Sequence, residues 1–380
     1  MGTLHHHPML PETTHDEQSR MDFTSTLIRQ LDAVIRPQLR SVYNKTVEPK
    51  LRRTMNREPN RHDIARAMQT VEPNRLWYTL RTDAQDMMYR NAGPMIQRQL
   101  PAMIERARKW SGKGHGTLTL DPSLAIPRYH TAVDIHRKPG GYHTEITEDD
   151  VLAGAEFDQS ITMYSMGTQG PNNDDPGVSL AVWVKAQFPG LKPKRILDMG
   201  CTIGHNLLPF KDAFPDAEVH GIDVAAPCLR YGHARANALG VAVHFSQQNA
   251  EHTNFPDGHF DLVMSRIMLH EMSGKAVPAM LRECHRILKP GGLMFHSDAP
   301  LFDEMDAYQA SLRHWDTLYN NEPFMATVYE LPLETMYADA GFAKSSCFRT
   351  QVDSELRRKT NYDPAANRAG GKFFLVGARK

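Results

Sequence analysis

The chain is poor in cysteine, with four in 380 residues. They stand at Cys201, Cys228, Cys284 and Cys347, and none forms a C-x-x-C pair. That spacing excludes a cysteine-built metal site and a disulfide framework. It predicts free thiols in a reducing compartment, hence a cytoplasmic setting. Net charge is absent as well: 44 Lys and Arg balance 44 Asp and Glu. No apolar run approaches the roughly eighteen residues of a membrane span. The first residues, Met1 to His7, hold no apolar signal core, and the three histidines at 5 to 7 are set aside from site reasoning. No H-E-x-x-H occurs among the 19 histidines. His270, His285 and His296 have no i, i+4 pairing and share no evident face, so no metal ligands are expected.

What is present describes a globular chain: 41% hydrophobic and 23% charged residues. Its length has room for two domains, or for one with a large extension. Charge is unevenly spread. Residues 20–113 carry 19 Lys/Arg against 9 Asp/Glu, so the rest of the chain is correspondingly acidic. The arginines lie among acids and apolar residues at helical spacing, with no dense stripe and no interleaved aromatics. That pattern favours a solvated face docking on an acidic surface, such as the protein's own C-terminal part, over nucleic acid. Phe23, Leu27, Leu31, Val34 and Ile35 share a helical face, and Met95, Ile96, Leu100, Met103 and Ile104 form another stripe. The organisation expected is a disordered N-terminus at 1–19, a helical subdomain at 20–126, a lid and acceptor-pocket wall at 127–177, and a catalytic domain at 178–380. The helical stripes need a partner surface, either the catalytic domain or a second copy of the chain in a homodimer.

The densest signal is Lys194-Arg-Ile-Leu-Asp-Met-Gly-Cys-Thr-Ile-Gly204. A short apolar run ends in Asp198, and a turn with Gly200 and Gly204 opens onto a helix from His205. Strand, glycine turn and helix N-terminus make a corner suited to a nucleotide. A second strand closes on Asp223, followed by Val224. An acid there can hold both hydroxyls of a ribose. A polar turn, Asn249-Ala250-Glu251, precedes the strand Phe260 to Ser265. A helix then leads through Lys289-Pro290-Gly291-Gly292 to a further strand reaching His296.

In this order and spacing, the blocks resemble the class I S-adenosylmethionine-dependent methyltransferases, over roughly residues 155 to 380. The resemblance implies an α/β fold with a seven-stranded Rossmann-like sheet, and S-adenosylmethionine as cofactor. It implies cofactor contacts from Tyr164, Asp198, Gly200, Cys201, Thr202, Gly204, Asp223, Val224, Asn249, Ala250, Glu251, Ser265 and Arg266. The segments Phe255 to Val263 and Leu288 to Gly292 resemble members acting on small molecules. Two positions depart from the pattern. Thr202 replaces a glycine, which predicts a slightly altered turn because threonine tolerates positive φ poorly. Asn249 replaces an aspartate, and its amide oxygen can still accept from an adenine amine. A dinucleotide dehydrogenase would want glycine at 202 and gives the Lys-Pro-Gly-Gly turn no role.

Methyl transfer is an in-line displacement, so the protein must align the acceptor, exclude water and, for a weak nucleophile, remove a proton. Candidates lie at the carboxyl ends of the strands ending near Ser265 and His296. His270 is expected as general base, with Asp298, His143 and Tyr142 as further catalytic candidates. Glu271 is expected to point away from His270. A small-molecule acceptor is expected, oxygen first, then nitrogen, sulfur or carbon. The alternatives are an RNA or protein methyltransferase using the basic helical half, and a non-catalytic cofactor-binding scaffold. No N-P-P-[YF] tetrapeptide for a flipped base follows Ser265.

Overall fold

A computed structural model describes residues 6–165, 167–359 and 372–380. Eight strands form one sheet: β1 (Gly116–Thr119), β2 (Arg195–Met199), β3 (Glu218–Asp223), β4 (Val243–Gln247), β5 (Phe260–Arg266), β6 (Leu288–Asp298), β7 (Cys347–Asp353) and β8 (Lys372–Arg379). Their order is β1-β4-β3-β2-β5-β6-β8-β7. All neighbours through β6 are parallel, and β8 runs antiparallel to both β6 and β7. The Rossmann-like sheet is present with one strand more than seven. That extra strand, β1, falls in the stretch expected to be purely helical. Its alternating Thr117-Leu118-Thr119-Leu120 is a period-two signal too short to stand out beside the glycine-rich run at 111–116.

Alternation along the strands decides the layers. Leu197, Met199, Val263 and Met294 pack into a core with helix α9 (Ala276–Ile287). Ile196, Leu262, Met264, Leu293 and Phe295 face helices α6 (Asp175–Gln187) and α7 (Leu207–Ala213). Both faces of the parallel strands are therefore covered, as such strands require. The expected turn at Lys289–Gly292 is an excursion inside β6. Phe260 pairs with Leu288, whereas Leu262 pairs with Leu293, so the extra residues bulge out between them.

The N-terminal helices share a core with the domain. These are α1 (His15–Arg29), α2 (Arg61–Met68), α3 (Glu72–Gln97) and α4 (Leu100–Ser111). Ile28, Leu31, Trp77, Met88, Met95 and Ile104 join Ala155 of α5 (Leu152–Tyr164), Tyr231 of α8 (Ala226–Ala238) and Trp315 of α10 (Ala307–Tyr319) in one cluster. Phe23 and Val34 stay exposed, whereas the second stripe and Leu27, Leu31 and Ile35 of the first are thus packed within the chain itself. The arginines do the same on the surface. Arg40 pairs with Asp306, Arg61 with Glu330, and Arg108 with Asp149.

The expectation of disorder across residues 1–19 fails for the described part. Thr14 and Glu17 form a reciprocal capping box on α1, a T-x-x-E signal present in the sequence. His7, set aside earlier, is buried against Asp158 at 3.1 Å, and Arg235 Nε approaches the same Asp158 oxygen at 3.2 Å. Just before α5, Asp150 accepts from the Ile146 and Leu152 amides. Residues 1–5, Met166 of the expected lid, and residues 360–371 of the polar loop before Lys372 lie outside the described residues.

Candidate functional site

The sheet order reverses between β2 and β5, since the chain winds from β2 toward β4 on one side and toward β6 on the other. The crevice outside the carboxyl ends of these strands is where open α/β sheets bind ligands. A cavity of about 340 Å³ lies there, within the usual range for small-molecule pockets.

One half of the cavity is built by the glycine turn. Gly200 has φ 68°, and a Cβ there would sit 2.6 Å from the Met268 sulfur. Gly204 has φ 70°, with the Phe245 ring 2.6 Å from where its Cβ would be. Thr202 takes φ 52°. Threonine is thus held in the left-handed region, which costs about 1–2 kcal/mol. Its amide donates to Asp223 Oδ2 at 2.9 Å, and the Ala225 amide donates to Oδ1 at 2.9 Å.

Asp198 is buried at the end of β2, and neither carboxyl oxygen has a hydrogen-bond partner among the described residues. Burial, then the charge of Asp223, pushes its pKa up to about 8, with Arg266 opposing. Burial pulls the Arg266 guanidinium down to about 10 despite Asp198, Asp298 and Asp175, and its Nε has no hydrogen-bond partner among the described residues. A buried acid and a partly buried cation with unused hydrogen-bonding atoms are costly as they stand. His205 beside them is kept neutral, its pKa brought down to about 3 by burial and then by Arg266.

The other half draws on distant segments. His136 sits in a turn with φ 56°, and its carbonyl accepts from Gln85 Nε2 at 3.1 Å. Arg137 at φ 59° is clamped by Asp86 at 2.6 and 2.8 Å. His136 Nε2 lies 3.1 Å from Glu271 Oε1 and 3.6 Å from Glu322 Oε1. His270 Nε2 lies 3.4 Å from Glu271 Oε1 and 3.8 Å from Glu322 Oε2. His270 Nδ1 bonds Asp298 Oδ1 at 2.6 Å, which also accepts from Tyr329 at 3.0 Å and from the Ala299 amide at 2.7 Å. Tyr142 bonds His136 Nδ1 at 2.7 Å. Burial alone would lower the His270 imidazole, but Asp298 and Glu271 outweigh it and hold it well above its ordinary value.

A family model described as a methyltransferase domain matches residues 196–292. The chain carries a class I S-adenosylmethionine-dependent methyltransferase domain.

Curated relatives agree with this over part of their length. The chain is 36% identical over 108 residues to demethylmenaquinone methyltransferase of Thermus thermophilus, covering 28% of this chain and 48% of that protein. It is 34% identical over 109 residues to phosphoethanolamine N-methyltransferase 1 of Arabidopsis thaliana, covering 28% and 22%. It is 31% identical over 156 residues to ubiquinone biosynthesis O-methyltransferase of Pseudomonas aeruginosa, covering 41% and 62%. The matches span less than two thirds of each relative's length. Among solved structures, Haemonchus contortus phosphoethanolamine N-methyltransferase 2 resembles the chain at 17% identity and a TM-score of 0.42, over 59% of each chain.

Within the methyltransferase domain, Gly200, Cys201, Thr202, Asp223 and Arg266 line the cavity, joined by Tyr164 from α5. Asp198, Gly204, Val224, Asn249, Ala250, Glu251 and Ser265 are not in its lining. The Asn249 oxygen accepts from the Glu251 amide at 2.9 Å, and Tyr129 bonds Glu251 Oε1 at 2.9 Å. Ser265 is turned to His296 Nδ1 at 2.7 Å.

Of the catalytic candidates, His270, Asp298 and Tyr142 line the cavity and His143 does not. Two expectations are corrected. Glu271 does not point away: Leu269–Glu271 is a single tight turn rather than an α-helix, which brings its carboxylate beside His270. His270 also differs from a free base, since Asp298 occupies one nitrogen and, with Glu271, favours the imidazolium. Sequence reasoning missed His136 and Glu322 as site residues, along with Gln85 and Tyr89 on the wall. No spacing links these positions; only the fold does. It likewise missed the convergence of four metal-ligand side chains, having sought them by spacing within one element.

Proposed function

We propose that the protein transfers a methyl group from S-adenosylmethionine to a small-molecule acceptor, with oxygen as the receiving atom. The observation that carries this reading is the pair Asp198 and Arg266. The methionine end of the cofactor is a zwitterion. Its ammonium fits the unpartnered Asp198 carboxylate, and its carboxylate fits Arg266. Asp223, already oriented by two backbone amides, keeps lone pairs for the ribose hydroxyls. When bound, S-adenosylmethionine supplies a methyl group on a positively charged sulfur. The chain's own residues hold the acceptor in line and exclude water: Gln85, Met88 and Tyr89 of α3 and Phe157 and Tyr164 of α5 line the cavity. A cavity walled by the N-terminal helices suits a compact acceptor better than a nucleic-acid strand, and many arginines of that region already face acids of the chain. The names of the relatives include both oxygen and nitrogen methylation; oxygen is favoured by the polar, acid-lined far half described above.

Incubating the full-length protein with methyl-labelled S-adenosylmethionine and a small-molecule extract should yield labelled low-mass products cleaved by reagents that open methyl ethers and esters. Label found only in RNA or protein would overturn the reading of the acceptor. Failure to bind the cofactor at all would overturn the whole.

A further inference from the structure

We propose that His136, His270, Glu271 and Glu322 bind a single divalent first-row transition-metal ion at the acceptor end of the cavity. As a deepening of the methyl-transfer reading, this inference rests on it for the ion's role but not for the site's existence.

The four residues come from three separated segments, yet one ligand atom of each lies within 4.8 Å of every other. The four imidazole-to-carboxylate separations run from 3.1 to 3.8 Å. Four ligands at about 2.0–2.1 Å around one ion would stand roughly 3.3 Å apart, so little closure is needed. All four groups are largely shielded from solvent, with side-chain exposures of 23, 4, 12 and 3%. Glu271 Oε2 and Glu322 Oε2 make no hydrogen bond among the described residues, and both residues line the cavity. Two buried carboxylates with spare oxygens call for a cation.

The surrounding contacts are those that orient metal ligands. A ligating histidine commonly donates its other nitrogen to a carboxylate or similar group. His270 Nδ1 is so engaged with Asp298, itself held by Tyr329, and His136 Nδ1 is bonded to the Tyr142 hydroxyl. That leaves both Nε2 atoms facing the carboxylates. Asn320 Nδ2 donates to Glu322 Oε1. Paired imidazoles and carboxylates suit Zn²⁺, Fe²⁺ or Mn²⁺ better than Mg²⁺ or Ca²⁺, which prefer oxygen alone. Two neutral imidazoles, two carboxylates and one divalent ion also sum to zero charge, which suits a buried place.

Such an ion gives the acceptor a chemistry. A hydroxyl, enol or phenol oxygen entering as a fifth ligand gives up its proton more readily. That oxygen then forms the new C–O bond as the methyl's bond to sulfur breaks, with the electron pair leaving on sulfur as a neutral thioether and the proton released to solvent. No free general base is required, consistent with His270 being occupied on both nitrogens.

The test uses full-length protein. Metal content after purification is measured by plasma mass spectrometry. Chelator-stripped protein is then titrated with Co²⁺ and followed by visible absorption, and with Zn²⁺ followed by calorimetry. One equivalent of ion, with Co²⁺ bands of a nitrogen–oxygen site, is expected. Glu322→Gln and His136→Gln should each weaken Co²⁺ binding at least tenfold while leaving circular dichroism and S-adenosylhomocysteine binding unchanged. Wild-type protein that binds the homocysteine product normally but takes up no Co²⁺ or Zn²⁺ would overturn the site and leave the four residues a proton-sharing cluster. Metal binding lost in the variants but without any cofactor binding in wild type would keep the site and overturn the methyl-transfer reading.

Discussion

The two halves of the cavity are built differently. The half holding Gly200, Thr202 and Asp223 comes from one strand–turn–helix–strand run, and its parts are placed by local backbone: a glycine turn, two amides on a carboxylate, a register. The half holding His136, His270, Glu271 and Glu322 is assembled by packing. His136 is positioned by α3 through Gln85, and α3 is anchored through Arg81, which pairs with Asp32 at 3.2 Å and lies under Trp315 and Tyr164. A cofactor site can be carried by a short module. The proposed acceptor site depends on helices far away in sequence.

If that contrast is right, the halves should respond separately to damage. The largest effect is expected from a chain beginning at Tyr129. Removing α1 to α4 uncovers Ala155, Tyr231 and Trp315, so this chain should be insoluble or inactive; a well-folded, fully active truncation, seen by circular dichroism and turnover, would erase the contrast. Arg81→Met breaks a fully buried pair and should lower stability by roughly 3–5 kcal/mol, measured by urea unfolding. At permissive temperature it should impair turnover more than cofactor binding, and the reverse order would break the comparison. Asp223→Ala should weaken binding of S-adenosylmethionine by about 1.5–3 kcal/mol in calorimetry, with the far half untouched. Unchanged affinity would mean that the ribose lies elsewhere. The smallest effect should come from Thr202→Gly, which relieves the left-handed strain and should raise stability by about 1 kcal/mol, read as a higher melting temperature.

The same contrast explains what was legible. Glycines, a strand-end acid and a second acid one strand later announce themselves by spacing, so β2, β3, the turn and Asp223 could be read directly. The capping box at Thr14 and the alternation at Thr117–Leu120 were also written in the chain, but each is brief and was outweighed by a polar or glycine-rich neighbourhood. His136 and Glu322 had no such signal. Each is one polar residue in a loop, and only the packing of α3 and α10 around the sheet brings them to His270. Glu271 was visible but misjudged, because a helix was assumed where the chain makes one tight turn.

The central claim is that Asp198 receives the ammonium of the cofactor, and proton linkage tests it most directly. With its pKa up at about 8, Asp198 is mostly protonated at pH 7 without ligand, and a cation beside it should ionise it. Binding should then release a proton, and affinity should rise with pH until about pH 8 and level off above it. Calorimetry of S-adenosylhomocysteine binding at pH 7, in two buffers of different ionisation enthalpy, should show release of nearly one proton by wild type and none by Asp198→Asn, which should also bind more weakly. Equal proton release and equal affinity in the two proteins would contradict the account.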